Sequence, residues 1–123
     1  MAMRRLVSVV DDDESVRESL PELLKSVGFD AEPYSSAEAF LQSESPERTE
    51  CLVLDVAMPG MSGPELQQEL ARRNQDIPIV FITAYSREGV REQVMRRGAV
   101  AYLIKPFSEA AILGAVNRAL DGG

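Results

Sequence analysis

The feature that most restricts how this chain can fold is an alternation between short apolar runs and segments of helical periodicity. Leu6-Val7-Ser8-Val9-Val10 is a β-branched run of strand length, and Val16, Leu20, Leu23, Leu24 and Val27 follow at helical spacing up to Gly28. A weaker strand is expected around residues 31–34, where Pro33 lacks an N–H and so belongs at a sheet edge. Ser35 with Glu38 predicts a capping box opening a short helix through Phe40 and Leu41, and residues 43–50 read as a polar loop. Cys51-Leu52-Val53-Leu54 is apolar on both faces, as a central parallel strand must be. Ser62 and Glu65 predict a second capping box, before a helix carrying Leu66 and Leu70. Residues 79–82 form a fourth strand, Val90 and Val94 mark a helix ended by Gly98, and residues 99–104 form a fifth strand. Ser108 caps a last helix bearing Ile112, Leu113, Val116 and Leu120.

Five strands alternating with five helices imply an α/β three-layer sandwich. Right-handed crossovers between parallel strands put helices on both faces of one sheet, which makes the fold doubly wound. With 123 residues and no internal linker or repeat, residues 1–123 are expected to form one domain.

Composition then removes whole classes of chemistry. There is no histidine, so imidazole bases, histidine-ligated zinc and phosphohistidine carriers are excluded. The single cysteine, Cys51, cannot form an internal disulfide; it sits in an apolar run and reads as a small buried hydrophobe suited to a reducing, cytoplasmic compartment. No apolar stretch is long enough to span a membrane, and the opening Met-Ala-Met-Arg-Arg does not lead into a signal peptide. Net charge is −7, and the densest basic cluster, Arg87, Arg91, Arg96 and Arg97, is interrupted by Glu88 and Glu92. That cluster is a solvated helix face, and no direct nucleic-acid binding is expected.

Ligands of open α/β sheets bind beyond the carboxyl ends of the strands, where strand order reverses. The residues that follow the strands are therefore the ones to inspect. Asp11-Asp12-Asp13 follows the first strand, Asp55 the third, Thr83 the fourth and Lys105-Pro106 the fifth. Crowded carboxylates repel unless a cation intervenes, and Mg²⁺ is held by one or two carboxylates, waters and phosphate oxygens. Lys105 can pair with a carboxylate or a phosphoryl oxygen, and Thr83 offers a hydroxyl donor. Such a set stabilises charge on a transferring phosphoryl group, with Asp55 as the carboxylate that forms an acyl phosphate. Singly, each feature has a blander explanation: helix capping for Asp13 and Glu14, a turn for Asp55, a helix cap for Thr83, a surface charge for Lys105.

Over essentially its whole length the chain resembles the bacterial response-regulator receiver family. The match is carried by Val9-Val10-Asp11-Asp12, by Leu54-Asp55-Val56-Ala57-Met58-Pro59-Gly60-Met61-Ser62-Gly63, by Ile82-Thr83-Ala84 and by Tyr102-Leu103-Ile104-Lys105-Pro106-Phe107. The opening residues 10–17 are most similar to receivers of LuxR-type helix-turn-helix transcription regulators. The resemblance implies a flavodoxin-like sheet of order 2-1-3-4-5 and a two-component switch whose Asp55 takes a phosphoryl group from a sensor histidine kinase. It implies Mg²⁺, or Mn²⁺, held by Asp12, Asp55 and the Ala57 carbonyl, with Asp11 acting largely through water. Thr83 and Lys105 would hold the phosphoryl oxygens, and the Lys105-Pro106 bond would be cis. Tyr102 would change rotamer, and the fourth helix, fifth strand and fifth helix would respond, controlling an output domain or partner and offering a homodimer face. Such a protein is not an enzyme beyond its own phosphorylation and dephosphorylation.

Ala57 stands two residues after the acceptor, where many receivers carry a polar or basic side chain, and Tyr85, two after Thr83, is bulky; both flank the route of a hydrolytic water and predict a slowly hydrolysed acyl phosphate. Three other readings compete. A non-phosphorylated module on the same fold would be expected to lack an acid or the lysine. A flavin-binding protein would need a glycine- and hydroxyl-rich loop where Asp11-Asp12-Asp13 stands. An aspartyl phosphatase would want an Asp-x-Asp pair, whereas Val56 and Ala57 follow Asp55.

Overall fold

The computed structural model describes residues 4–122. In chain order the elements are β1 (Leu6–Val10), α1 (Glu14–Ser26), β2 (Asp30–Tyr34), α2 (Ala37–Gln42), α3 (Ser45–Arg48), β3 (Cys51–Asp55), α4 (Gly63–Arg72), β4 (Ile79–Thr83), α5 (Val90–Arg96), β5 (Ala101–Ile104) and α6 (Glu109–Asp121). All strand pairs are parallel, and the sheet order is β2-β1-β3-β4-β5. The expected flavodoxin-like order 2-1-3-4-5 is thus present, with the proline-bearing β2 at one edge.

Side chains alternate across the sheet because a strand's residues point to opposite faces in turn. Val7, Val9, Cys51, Val53, Val80, Ile82 and Ala101 pack on one face with Leu20 and Leu24 of α1 and Ile112 and Val116 of α6. Leu52, Leu54, Ile79, Phe81 and Tyr102 pack on the other with Phe40 of α2, Leu66 and Leu70 of α4 and Val94 of α5. With both faces covered, β1, β3 and β4 are buried along their whole length. Cys51 is fully buried, and burial pushes its thiol up to about 12, so it behaves as a hydrophobe. Arg5, at the foot of the sheet, donates to the Leu120 carbonyl of α6 (3.2 Å) and pairs with Glu50.

Two local expectations are corrected. The N-cap of α2 is Ser36, not Ser35: its side chain accepts from the Ala39 amide, and Glu38 makes no capping box. Starting the helix at Ala37 puts both Ala37 and Phe40 in the core, and burial decides between two adjacent serines with equal capping ability. Within the expected loop of residues 43–50, α3 forms a single helical turn. Long-range polar contacts hold it: the Tyr34 and Ser45 hydroxyls meet each other and Glu32, while Thr49 bonds Ser8 (2.7 Å) in the interior. The other capping box is formed in full by Ser62 and Glu65, and Ser108 caps α6 as expected.

Candidate functional site

The site grows out of strand registry. Val9 lies opposite Val53, and Ile82 opposite Leu103. The rows Val7-Val9, Cys51-Val53 and Ala101-Leu103 share one face. One further two-residue step along each row reaches Asp11, Asp55 and Lys105, so three hydrophobic rows end in three charged groups at the carboxyl edge.

Asp11 is fully buried and Asp55 is 5% exposed, whereas Asp12 is exposed. One carboxylate oxygen from each of the three can be chosen so that all lie within 4.8 Å of one another. The Lys105 ammonium stands 2.7 Å from Asp11 Oδ2 and 3.8 Å from Asp55 Oδ1. The acidic loop is fixed from its own side. Asp11 Oδ1 accepts from the Asp13 amide (2.9 Å), and Arg17 donates to the Asp11 carbonyl (3.1 Å). Asp13 caps α1: the Ser15 hydroxyl and amide donate to its carboxylate and hold it below its usual value. The blander reading of Asp13 is therefore the observed one.

Asp55 carries the main electrostatic burden. Its pKa rises from 3.8 to about 7, first because burial penalises the charged form and second because Asp11 is close; Lys105 opposes both. An oxygen-only donor set that a single ammonium neutralises incompletely suits a hard divalent cation such as Mg²⁺.

Thr83 is buried at the end of β4. Its hydroxyl donates to the Tyr85 carbonyl (2.8 Å) and accepts from the Tyr85 amide (3.2 Å), so it is engaged with the following loop. The Lys105 amide donates to the Thr83 carbonyl (2.8 Å), and the Lys105-Pro106 bond is cis. Tyr102 belongs to the opposite face, buried among the α2, α4 and α5 side chains, with its hydroxyl 3.4 Å from Ser86 Oγ. Ala57 and Pro59 are exposed, and Tyr85 is 84% exposed, so its ring does not cover the acidic cluster.

The loop between Asp55 and α4 is held tightly at both ends. Val56 donates to the Ile82 carbonyl (3.0 Å) and Gly63 donates to the Val56 carbonyl (2.9 Å). A Cβ on Gly63 would collide with the Asp55 carbonyl oxygen, so glycine is required by close approach, independently of its dihedral angles. Two residues that sequence reasoning did not assign to the site, Arg17 and Glu38, reach it through side chains from neighbouring helices. Arg17 falls one helical turn after Asp13, a weak signal; Glu38 offered only a capping-box spacing that the fold does not use.

Fold and site together define a flavodoxin-like α/β domain with an acidic cluster and a lysine at its topological switch point. The chain matches the family model of the response regulator receiver domain over residues 7–117. It is 46% identical over 118 residues to nodulation protein W of Bradyrhizobium diazoefficiens, covering 96% of this chain and 52% of that protein. It superposes on the response regulator StyR with a TM-score of 0.90 at 48% identity, covering 97% of this chain and 60% of that one. On FixJ-N the TM-score is 0.85 at 36% identity, with 98% and 96% covered. This chain belongs to the response-regulator receiver family of two-component systems. It spans about half the length of the curated relatives it matches.

Proposed function

We propose that this chain, residues 1–123 acting as one receiver domain, is a phosphoacceptor switch in which Asp55 takes a phosphoryl group from a sensor histidine kinase. The observation that carries the reading is the Lys105 ammonium set beside Asp11 and Asp55, within a cluster of three carboxylates. Mg²⁺ or Mn²⁺ would be held by Asp12, Asp55 and the Ala57 carbonyl, and by Asp11 through water. When bound, the cation supplies the positive charge that lets the carboxylates coexist and offsets charge on the transferring group.

An Asp55 carboxylate oxygen attacks phosphorus as the phosphorus–nitrogen bond to the kinase imidazole breaks, and the imidazole leaves with the bonding pair and takes up a proton. Lys105 moves its attraction from Asp11 to a phosphoryl oxygen, and Thr83 gives up the Tyr85 carbonyl to donate to another. A phosphoryl group adds about −1.5 to −2 charges. That change biases Thr83, Tyr102 and the α5–β5–α6 face, which corresponds to the fourth helix, fifth strand and fifth helix expected from sequence. The face would act on an output domain or partner, or on a second copy in a homodimer. The chain catalyses its own phosphorylation and dephosphorylation and no other reaction, and works in the cytoplasm. No helix among the described residues is long and apolar enough to cross a membrane.

Incubation with acetyl phosphate, with and without Mg²⁺, tests this directly. Wild type should gain the mass of one phosphoryl group only with the cation, and Asp55→Asn should gain none. A gain that persists in Asp55→Asn would sink the assignment, and a wild type that gains nothing would favour a non-phosphorylated interaction module.

A further inference from the structure

One side chain of α2 crosses to the loop after Asp55, and the mechanism above leaves it without a part. Glu38 Oε2 accepts the Met61 amide at 2.8 Å, a bond spanning 23 residues of chain. The adjacent Gly60 has φ +75, and a Cβ built there would lie 2.6 Å from the same oxygen. The Glu38 carboxylate therefore occupies the space a side chain would take, and the left-handed glycine makes that approach possible. Backbone bonds close the loop at Val56 and Gly63. Between those points two side chains hydrogen-bond the loop backbone among the described residues: Glu65 takes the Ser62 amide as part of the α4 capping box, and Glu38 alone reaches the Gly60-Met61 corner from another element.

This matters because the loop's part in the cation site is a backbone carbonyl. A carboxylate ligand can adjust by rotating about its side-chain bonds. A carbonyl stands where its loop puts it. We propose that Glu38 is a positioning residue of the cation site, holding the Gly60-Met61 corner so that the loop presenting the Ala57 carbonyl stays in its ligating conformation. The proposal rests on the cation site described under Proposed function. Partners that orient ligands in this way typically alter metal affinity by about 10–100-fold when removed.

The test uses the 123-residue chain, with Mg²⁺ affinity measured by calorimetry well below the melting temperature and Met61 amide exchange measured by NMR in chelator. Glu38→Ala should lose most of the Met61 protection and weaken Mg²⁺ binding about tenfold. Glu38→Gln keeps a carbonyl acceptor and should stay within about threefold of wild type. A purely structural tether would lower melting temperature in Glu38→Ala without moving Mg²⁺ affinity, and that result overturns the proposal. So does a Glu38→Gln variant as weak as Glu38→Ala, or a Met61 amide equally protected in Glu38→Ala. Asp12→Asn serves as the reference. If it binds Mg²⁺ like wild type, the cation site itself is misassigned and the role of Glu38 falls with it. If it loses Mg²⁺ while Glu38→Ala does not, only the role of Glu38 falls.

Discussion

At the scale of the residue, Asp55 is held in a condition that the free chain does not favour. Its folded pKa, about 7, lies above the ordinary 3.8, so the folded state binds this proton more tightly than the unfolded state does. The resulting stabilisation is fully present below about pH 4 and is lost as pH rises through about 7. In chelator, wild type should therefore lose stability relative to Asp55→Asn between pH 4 and pH 8. At pH 8 the variant should be more stable by on the order of 1–3 kcal/mol in urea unfolding. Saturating Mg²⁺ should shrink that gap, and identical pH profiles for the two proteins would count against a raised pKa. The placement of Asp11, Asp12, Asp55, Thr83 and Lys105 at one sheet edge was legible because each ends or follows a strand and the strands were recognisable. Glu38 was not. Its partner is an amide 23 residues away, and its spacing from Ser35 imitates a local motif that the fold does not form.

At the scale of the element, the clearest signals were those whose partners lie within one turn. Ser62 and Glu65 satisfy each other's backbone amides, and the local pattern suffices to read them. The one-turn α3 could not be read in that way, because Glu32, Tyr34 and Ser8 hold it from distant strands. The junction of β3 and α4 combines both kinds of information. Gly63 belongs to the family motif, but the reason for it is three-dimensional: a Cβ there would run into the Asp55 carbonyl and crowd the Phe81 ring. Gly63→Ala should destabilise the protein by about 1–3 kcal/mol or more, as overpacked sites do, and slow acetyl-phosphate labelling by displacing Asp55. Chemical denaturation and the labelling rate measure the two effects. An alanine variant with wild-type stability would mean that the loop relaxes freely.

At the scale of the whole molecule, the sheet separates support from chemistry. Two hydrophobic layers cover its faces, and the uncompensated charge collects at one edge. A cation bound there would stabilise the entire fold by mass action. At ten times its dissociation constant, Mg²⁺ should add about 1.4 kcal/mol and raise the melting temperature by several degrees. Asp12→Asn should abolish the rise, which differential scanning calorimetry would read. The alternation of strands and helices made this architecture legible from the start, and Pro33 marked the edge. What no linear pattern could convey is the hydrogen bonding of Thr83, whose hydroxyl is bound to the Tyr85 backbone.

The contact between Arg5 and the Leu120 carbonyl has a consequence of another kind. It brings the first strand and the last helix together at the foot of the sheet, near the start of β1 and the end of α6. The first and last elements of the fold are thus spatial neighbours, although the residues in contact are 115 apart in sequence. Neighbouring ends are what make circular permutation tolerable. A permutant of this domain joined between β1 and α6 and opened in the exposed 84–89 segment would still bring every strand to the same neighbours, while offering its new ends beside Thr83.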